Sequence, residues 1–351
     1  MKILALMGKA VLSILMTTFI LTESRGATPC HEYKVGTAII YDDNVFEFSY
    51  FHQDSFVAGT GRFKDIDSID DVIFKPSLAI YQGWQFSEGK EWGVGSSIKP
   101  KIHFENTERD YQTYEFYTRY HFSQRSKIKL EYTFIPNYFL RNLTDDDQPS
   151  GDRFENADFT YHAGSVGLWQ EITERWSVSM KYTREDKNYN SFFNERDIDP
   201  NIFSASLSFL ATKNLNLNVG YAFETADARA SDEFPDVDPD ISYDQHSVRV
   251  QGSLQLPKNF QVKLIYSYAF QDFTTDNSVA DDPVHADRED QTHLGAIEIS
   301  RQWSDSLTTF VRYEYETKGV DFAPGVSASA FFDEGLDFSA NRVSGGIIYN
   351  F

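Results

Sequence analysis

Basic and acidic side chains recur at alternate positions inside segments of the chain that are otherwise apolar. In a β-strand, successive side chains point to opposite faces, so such segments place their charges on one face and their apolar residues on the other. The charges expected on a shared inward face are Lys99, Lys101, Arg119, Lys129, Lys181, Arg249, Lys263, Arg312 and Arg342, with Glu115, Glu131, Glu185, Glu298, Glu314 and Glu316. Charged side chains around a water-filled passage can select the ions that cross it.

These inward charges have two interpretations. If the strands close into a barrel, the charges either pair across strands and fill a plugged lumen, or they leave Lys and Arg unpaired halfway along the barrel wall, where these residues would favour anions. The candidate pore-lining residues are Lys99, Lys101, Arg119, Lys181, Arg249, Lys263, Glu298, Arg312, Glu314 and Arg342. The candidates for a constriction, with their acidic partners last, are Lys99, Lys181, Arg249, Arg312, Glu298 and Glu314.

Signals of catalysis or of a bound cofactor are weak. No zinc pair, phosphate-binding glycine loop or nucleophile elbow is present. His162, His246 and His293 lie near strand ends and are the only material for a membrane hydrolase, a less favoured alternative to a polar interface role. The run 236–240 alternates aspartates but lacks the glycine and distal glutamate of an EF-hand loop. We therefore predict no enzyme activity, metal or cofactor.

The elements that position these residues are strands of membrane-spanning length. Segments of about ten residues with period-two patterning are typical of outer-membrane strands. In 260–270, the phenylalanines, tyrosines and aliphatic residues alternate with Gln261, Lys263 and Ser267. We count fourteen such segments, with twelve or sixteen as alternatives: 33–42, 72–84, 91–104, 111–122, 127–139, 158–169, 176–186, 201–211, 215–225, 243–255, 260–273, 291–303, 307–317 and 341–351. Strand 158–169 is ambiguous, because Tyr161 and Trp169 fit one phase and His162 the other.

The connections between these segments alternate between short and long. Short turns on the periplasmic side and long loops on the outer side are typical of outer-membrane barrels. The pattern predicts a closed, antiparallel, up-and-down β-barrel with both termini at the short-turn end. Fourteen strands give a lumen of about 12–15 Å. The loop 318–340 contains Phe322, Phe331, Phe332 and Phe338, and we expect it to form a constriction or plug.

Composition agrees with this architecture. The formal net charge is −21, and the excess acid is concentrated in long connections such as 145–155, 227–240 and 276–290. Acidic loops of this kind argue against nucleic-acid binding, which needs clustered Lys and Arg. The five tryptophans all lie close to short turns, as expected for an aromatic girdle at the membrane interface. They are Trp84, Trp92, Trp169, Trp176 and Trp303.

The amino-terminal segment has the pattern of a secretory signal. Lys2 and Lys9 precede a short apolar run, and small residues at Ser24 and Gly26 predict cleavage after Gly26. We therefore predict a signal peptide at 1–26, a short periplasmic segment at 27–32 and an outer-membrane barrel at 33–351. The single cysteine, Cys30, has no internal disulfide partner.

The carboxy-terminal strand resembles the assembly signal of bacterial outer-membrane barrels. The matching positions are Ser344, Gly346, Tyr349 and the terminal Phe351. The segment 41–44, Tyr-Asp-Asp-Asn, resembles the opening of an uncharacterised group of porin-like barrels, some of which resemble parts of exopolysaccharide or exosortase systems. The resemblance implies contact with outer-membrane lipid and with the barrel-assembly machinery.

We therefore expect a porin-like outer-membrane channel for passive diffusion of small hydrophilic solutes. The basic residues of the lumen indicate that these solutes are anionic. The alternative is an accessory barrel of a polysaccharide or protein export or assembly system. The oligomeric state and the transported solute are left open by the sequence.

Overall fold

A computed structural model describes residues 28–59, 63, 66–144, 154–229, 240–275, 277–327 and 336–351. The strands are β1 Thr28–Asp42, β2 Asp71–Ser87, β3 Lys90–His103, β4 Tyr111–Ser123, β5 Ser126–Thr144, β6 Phe154–Glu171, β7 Trp176–Tyr189, β8 Ile198–Thr212, β9 Leu215–Ala228, β10 Tyr243–Leu256, β11 Phe260–Phe273, β12 Glu289–Gln302, β13 Leu307–Asp321 and β14 Phe338–Asn350. These described residues contain one α-helix, α1 Tyr50–Val57, and 3-10 turns at Thr107–Arg109, Asn194–Arg196 and Pro257–Asn259. Within the described residues, no helix has both the length and the apolarity needed to cross a bilayer.

The fourteen strands form one closed antiparallel barrel, which confirms the predicted fold class. Each strand pairs with its neighbours in sequence, and β1 closes the ring against β14. Closure leaves no sheet edge with unpaired backbone groups. β1 begins at Thr28, within the segment that we expected to precede the barrel.

The two faces of the wall follow the predicted period of two. Large apolar side chains on the outer face are exposed, such as Ile39 at 58%, Leu264 at 58% and Val311 at 61%. A one-residue slip in register would exchange these residues with lumen charges such as Lys263, at about 2–4 kcal/mol for a basic residue at mid-membrane depth. The alternation therefore specifies the register of each strand.

Strand β6 resolves the ambiguous phase noted in the sequence. Trp169 lies opposite Lys127, whose ammonium is 5.1 Å from the indole ring, and both residues share the inward face with Glu131. His162 and Leu168 belong to the outward face, where Leu168 is 44% exposed. Trp169 is therefore an inward residue, and the prediction that it faces the membrane interface is wrong.

Two of the outward tryptophan sites show the stacking expected of an aromatic girdle at the short-turn end. Trp84 and Trp92 are register partners whose rings stack at 5.1 Å. Trp176 stacks on Phe209 at 4.3 Å. Aromatic rings with a polar N–H are favoured at this depth because one part of the ring is apolar and the other can be wet.

Candidate functional site

The lumen is the candidate site, because the predicted charged residues lie on its wall. A cavity of about 720 Å³ in the lumen is lined by seven of the charges assigned inward above: Lys99, Glu115, Lys129, Glu298, Arg312, Glu314 and Arg342. The register places the other pore-lining candidates, Lys101, Arg119, Lys181, Arg249 and Lys263, on the same face of their strands.

Most of these charges are paired with a neighbouring strand or with a residue two positions away. Lys99 lies 2.5 Å from Glu115, and Lys263 lies 2.7 Å from Glu298. Arg312 pairs with Glu314 in its own strand. These pairs fix long side chains against the wall, as the first of the two interpretations of the sequence predicts.

Three further lumen cations have no such partner. For Lys75, Lys101 and Arg249, no carboxylate of the described residues lies within 4.0 Å, and the Lys101 ammonium instead lies 5.6 Å from the Tyr111 ring. Arg249 is exposed to the lumen between Gly220 of β9 and Ser267 of β11. The wall therefore also has the uncompensated positive charge of the second interpretation.

The charged side chains are spread around the lumen wall, from Lys99 of β3 through Lys181 of β7 and Arg249 of β10 to Arg342 of β14. The inward face of β7–β9 also has hydroxyl and amide side chains: the hydroxyls of Ser179 and Ser206 lie 2.8 Å apart, and Asn218 donates to Ser208 at 2.7 Å. An anion or a polar chain in the lumen would therefore meet both charged and neutral hydrogen-bonding side chains.

The described residues of the first long loop, 43–59, 63 and 66–70, pack against the inner wall at the long-loop end of the barrel. Its apolar residues form a buried cluster with Ile73 of β2 and Phe139 of β5, and Phe46 and Phe48 are only 1% and 2% exposed. Helix α1 is capped at its start by the Ser49 side chain, which accepts from the His52 N–H. We call this folded loop the cap. It has its own small core, as a folded segment needs in order to offset its loss of conformational entropy.

Three arginines of the surrounding wall and loops fasten the cap. Arg109 donates to the Val45 carbonyl at 2.5 Å, and its guanidinium lies 4.7 Å from the Phe46 ring centre. Arg141 donates to the Phe46 carbonyl at 3.0 Å, and Arg342 pairs with Glu47 at 3.4 Å. The bonds from Arg109 and Arg141 give the backbone carbonyls of Val45 and Phe46 hydrogen-bond partners in a buried place.

The cap is an inward-folded segment that the sequence analysis did not predict. The constriction or plug that we expected from 318–340 is not tested, because residues 328–335, with Phe331 and Phe332, lie outside the described residues. Phe322 lies near the Arg288 guanidinium at 5.6 Å, and Phe338 belongs to β14. The missed signal was the density of apolar residues between 45 and 69.

The segment 41–44 joins the first and last strands at the cap. Asp42 accepts from Arg342 at 2.7 Å, and Asp43 accepts from the backbone and side-chain N–H groups of Asn341 at 2.6 and 2.8 Å. The Asn44 side chain donates to the carbonyls of Phe48 and Ser339. We call this set of contacts the seam clasp.

Arg342 lies at the centre of the seam clasp. It contacts four carboxylates: Asp42, Glu47, Glu314 at 3.3 Å and Glu316. The side chains of Asp42 and Glu316 are only 6% and 17% exposed, so their charges depend on this guanidinium for compensation, whereas Glu314, 15% exposed, also pairs with Arg312. In the adjoining cap, the Ser68 hydroxyl donates to Asp70 and lowers the pKa of that carboxyl.

The predicted assembly-signal residues lie on both faces of β14. Ser344 lines the lumen cavity, whereas Tyr349 and Phe351 are outward and contact each other edge to face at 4.5 Å. Gly346 is tightly packed, because a Cβ there would lie 2.4 Å from the Thr37 carbonyl oxygen and 2.7 Å from the Phe310 ring. The glycine in the predicted signal thus has a packing role in the finished barrel.

The three candidate hydrolase histidines occupy separate, similar positions on the outer face. The Nδ1 atoms of His162, His246 and His293 lie 2.6–2.9 Å from a tyrosine hydroxyl of the neighbouring strand. Each imidazole also lies about 5.0 Å from the aromatic ring directly opposite. We call these three groups the histidine–tyrosine pairs. They lie on three different strand pairs, so they do not converge on one reaction centre.

Among solved structures, several porins and channels are similar to this chain. They include an anion-selective porin from Comamonas acidovorans, 12% identical over 93% of this chain and 100% of that chain, with a TM-score of 0.44. The outer membrane channel DcaP of Acinetobacter baumannii is 12% identical over 93% and 97%, with a TM-score of 0.49. A bacterial polysaccharide outer membrane secretin is 8% identical over 92% and 98%, with a TM-score of 0.47.

No protein of curated function matches the sequence. A family model described as "surface lipoprotein assembly modifier" matches residues 33–319, which run from within β1 to within β13. The match covers most of the chain and all of the cap. The chain therefore belongs to the surface lipoprotein assembly modifier family.

Proposed function

We propose that this protein is an outer-membrane barrel that assists the assembly of lipoproteins on the bacterial surface. The family match over 33–319 carries the proposal, because it includes both the membrane wall and the cap. The exposed apolar outer face supports a location in lipid, where a closed sheet satisfies every backbone group internally. This assignment favours the accessory-barrel alternative over free diffusion.

The cap supports an assisting role. A barrel of fourteen strands is wide enough to hold water, and here a packed segment with a buried apolar cluster lies against the inner wall at the long-loop end. The charged lumen remains open to water below it, with a cavity of about 720 Å³. A partner chain that reached the lumen from the short-turn end would meet polar and charged side chains suited to an extended polypeptide.

The targeting features extend the proposal. We propose that residues 1–26 are removed as a signal peptide, so that the mature chain enters the periplasm with both termini at the short-turn end. Ser344, Gly346, Tyr349 and Phe351 would then present the final strand to the barrel-assembly machinery. Residues 1–26 lie outside the described residues.

Surface exposure of a lipoprotein in intact cells tests the assembly role. We expect protease added to whole cells to cleave a surface lipoprotein when the wild-type barrel is present and to spare it when the gene is deleted. Total lipoprotein in lysed cells, measured by immunoblot, is the control for expression. Equal surface exposure in both strains would contradict the proposal.

A second candidate function, a channel for small hydrophilic anions, is favoured by one specific observation. Lys75, Lys101 and Arg249 leave positive charge in the lumen without compensation among the described residues. Single-channel recording in planar bilayers under a salt gradient tests it. Anion selectivity of the wild type that is reduced in R249Q would support a channel. The absence of conductance in both the wild type and a variant that lacks residues 45–69 would exclude it.

A further inference from the structure

A groove lies on the outer face of the barrel wall, across the strands β1 to β5. Its volume is about 640 Å³, and all five of these strands contribute to its lining. Two neighbouring rows of outward side chains form its rims. The row of residues between them points into the lumen, so that only backbone forms the floor. We call this feature the wall groove.

The row nearer the short turns contains most of the polar side chains of the wall groove. In register across the five strands, this row is His31, Gln82, Val94, Thr118 and Leu130. Each of these residues lies three to five positions from the short-turn end of its strand. The row is therefore close to the tryptophan girdle, at the depth where lipid head groups meet the acyl chains.

The second row, one step deeper in the membrane, is mainly apolar. In register across the same strands, it is Tyr33, Ile80, Ser96, Phe116 and Tyr132. Ser96 is the smallest of these residues and lies directly between Ile80 and Phe116, which are 46% and 37% exposed. The short side chain in the middle of the row leaves a gap between larger neighbours and widens the groove.

The hydrogen bonds of the polar row leave one of its side chains without a partner. The Thr118 hydroxyl accepts from the Trp92 indole N–H at 2.8 Å. The Gln82 amide donates to the Gly83 carbonyl at 3.0 Å. Within the part of the chain that the structure describes, the ring nitrogens of His31 make no hydrogen bond, and the residue is exposed. His31 is therefore available to a polar group of a ligand at the β1 end of the groove.

We propose that the wall groove holds one acyl chain of a phospholipid in the periplasmic leaflet, with the head group beside His31. The occupant comes from the bilayer, because the groove lies on the outer face among exposed apolar side chains such as Leu130. Four strand spacings of about 4.8 Å make the groove roughly 19 Å long, comparable to the ~15 Å of hydrocarbon in one leaflet. The imidazole N–H can donate to the ester or phosphate oxygens of the lipid. This inference does not depend on the assembly role proposed above.

Native mass spectrometry of the full barrel, released from neutral detergent, tests the site with increasing amounts of palmitoyl-oleoyl phosphatidylethanolamine. We expect one lipid adduct that saturates. S96F places a ring in the middle of the groove and should weaken binding about tenfold or more, because loss of contact with about two methylene groups is sufficient for that factor. Phenylalanine is favoured in strands, so the variant should fold.

A205F is the matched control on the other side of the barrel. Ala205 is an exposed small residue on the outer face of β8, in register with the exposed Met180 and Tyr221. It lies at a similar distance from the short-turn end of its strand as Ser96 does. A205F should bind the lipid as the wild type does.

The outcomes separate a built groove from general contact with lipid. No saturable adduct with the wild type, or equal weakening by S96F and A205F, would overturn the proposal. Lyso-phosphatidylethanolamine, which keeps one acyl chain, should bind, whereas binding of glycerophosphoethanolamine, which has none, would contradict recognition of the chain. A triacylated lipopeptide that displaced the phospholipid at equal concentration would overturn the choice of occupant. V94F is an independent test if S96F fails to give the folded band on unheated gels.

Discussion

Replacement of Arg342 by glutamine should cause the largest loss of stability of any single lumen substitution proposed here. The guanidinium is the shared partner of Asp42, Glu47, Glu314 and Glu316 at the seam between β1 and β14. Without it, Asp42 and Glu316 lose their cationic partner in a mostly buried place, whereas Glu314 keeps its pair with Arg312.

The size of the effect follows from burial. Removing one partner of a buried ion pair typically costs about 3–5 kcal/mol, because the remaining charge stays desolvated. Glu47 is 47% exposed, so its contribution is discounted for solvent screening. Asp42 and Glu316 are at most 17% exposed and should place R342Q within this range.

Urea titration of barrels folded into lipid vesicles, followed by tryptophan fluorescence, measures the free energy of unfolding. R249Q is the matched control, because Arg249 also faces the lumen but contacts no carboxylate of the described residues within 4.0 Å, and we expect it to cost less than about 0.5 kcal/mol. Equal losses for R342Q and R249Q would refute the electrostatic explanation of the seam.

Three further substitutions test other parts of the structure. F48A should cost about 3–5 kcal/mol of cap stability and expose 43–70 to protease, because a large buried ring leaves a cavity. G346A should destabilise the barrel by roughly 1–3 kcal/mol in the same urea assay, whereas G345A, whose added Cβ would lie 3.6 Å from the nearest atom, should be nearly neutral. Y266F removes the hydroxyl that lies 2.9 Å from His293 and should cost about 1 kcal/mol or less; a loss above about 3 kcal/mol would indicate a larger role for the histidine–tyrosine pairs.

The wall could be predicted from the sequence because its information is local. A period of two is visible in any ten residues, and Lys263 between Val262 and Leu264 is sufficient to assign a face. The count of fourteen strands followed from that alternation. Strand ends were less predictable: β5 continues to Thr144, five residues beyond the predicted end at 139, because the polar ends of strands outside lipid lose the apolar alternation.

The closed end could not be predicted in the same way, because its contacts join distant parts of the chain. Arg109 and Val45 are 64 residues apart, and Arg141 and Phe46 are 95 apart. Neither arginine lies in an alternating run that marks it as inward, and loop residues have no periodicity.

The seam clasp also has a consequence for the order of folding. Its bonds from Asn341 and Arg342 to Asp43 and Asp42 join residues 298 and 300 positions apart, so they cannot form before the last strand is in place. Until then, Asp42 and Asp43 remain exposed to water at the end of β1, whose outer edge has no partner strand. Contacts between residues so far apart in the sequence are slow to form. These bonds therefore form only when β14 pairs with β1. A chain truncated before β14 keeps its first strand but lacks the residues that close the barrel.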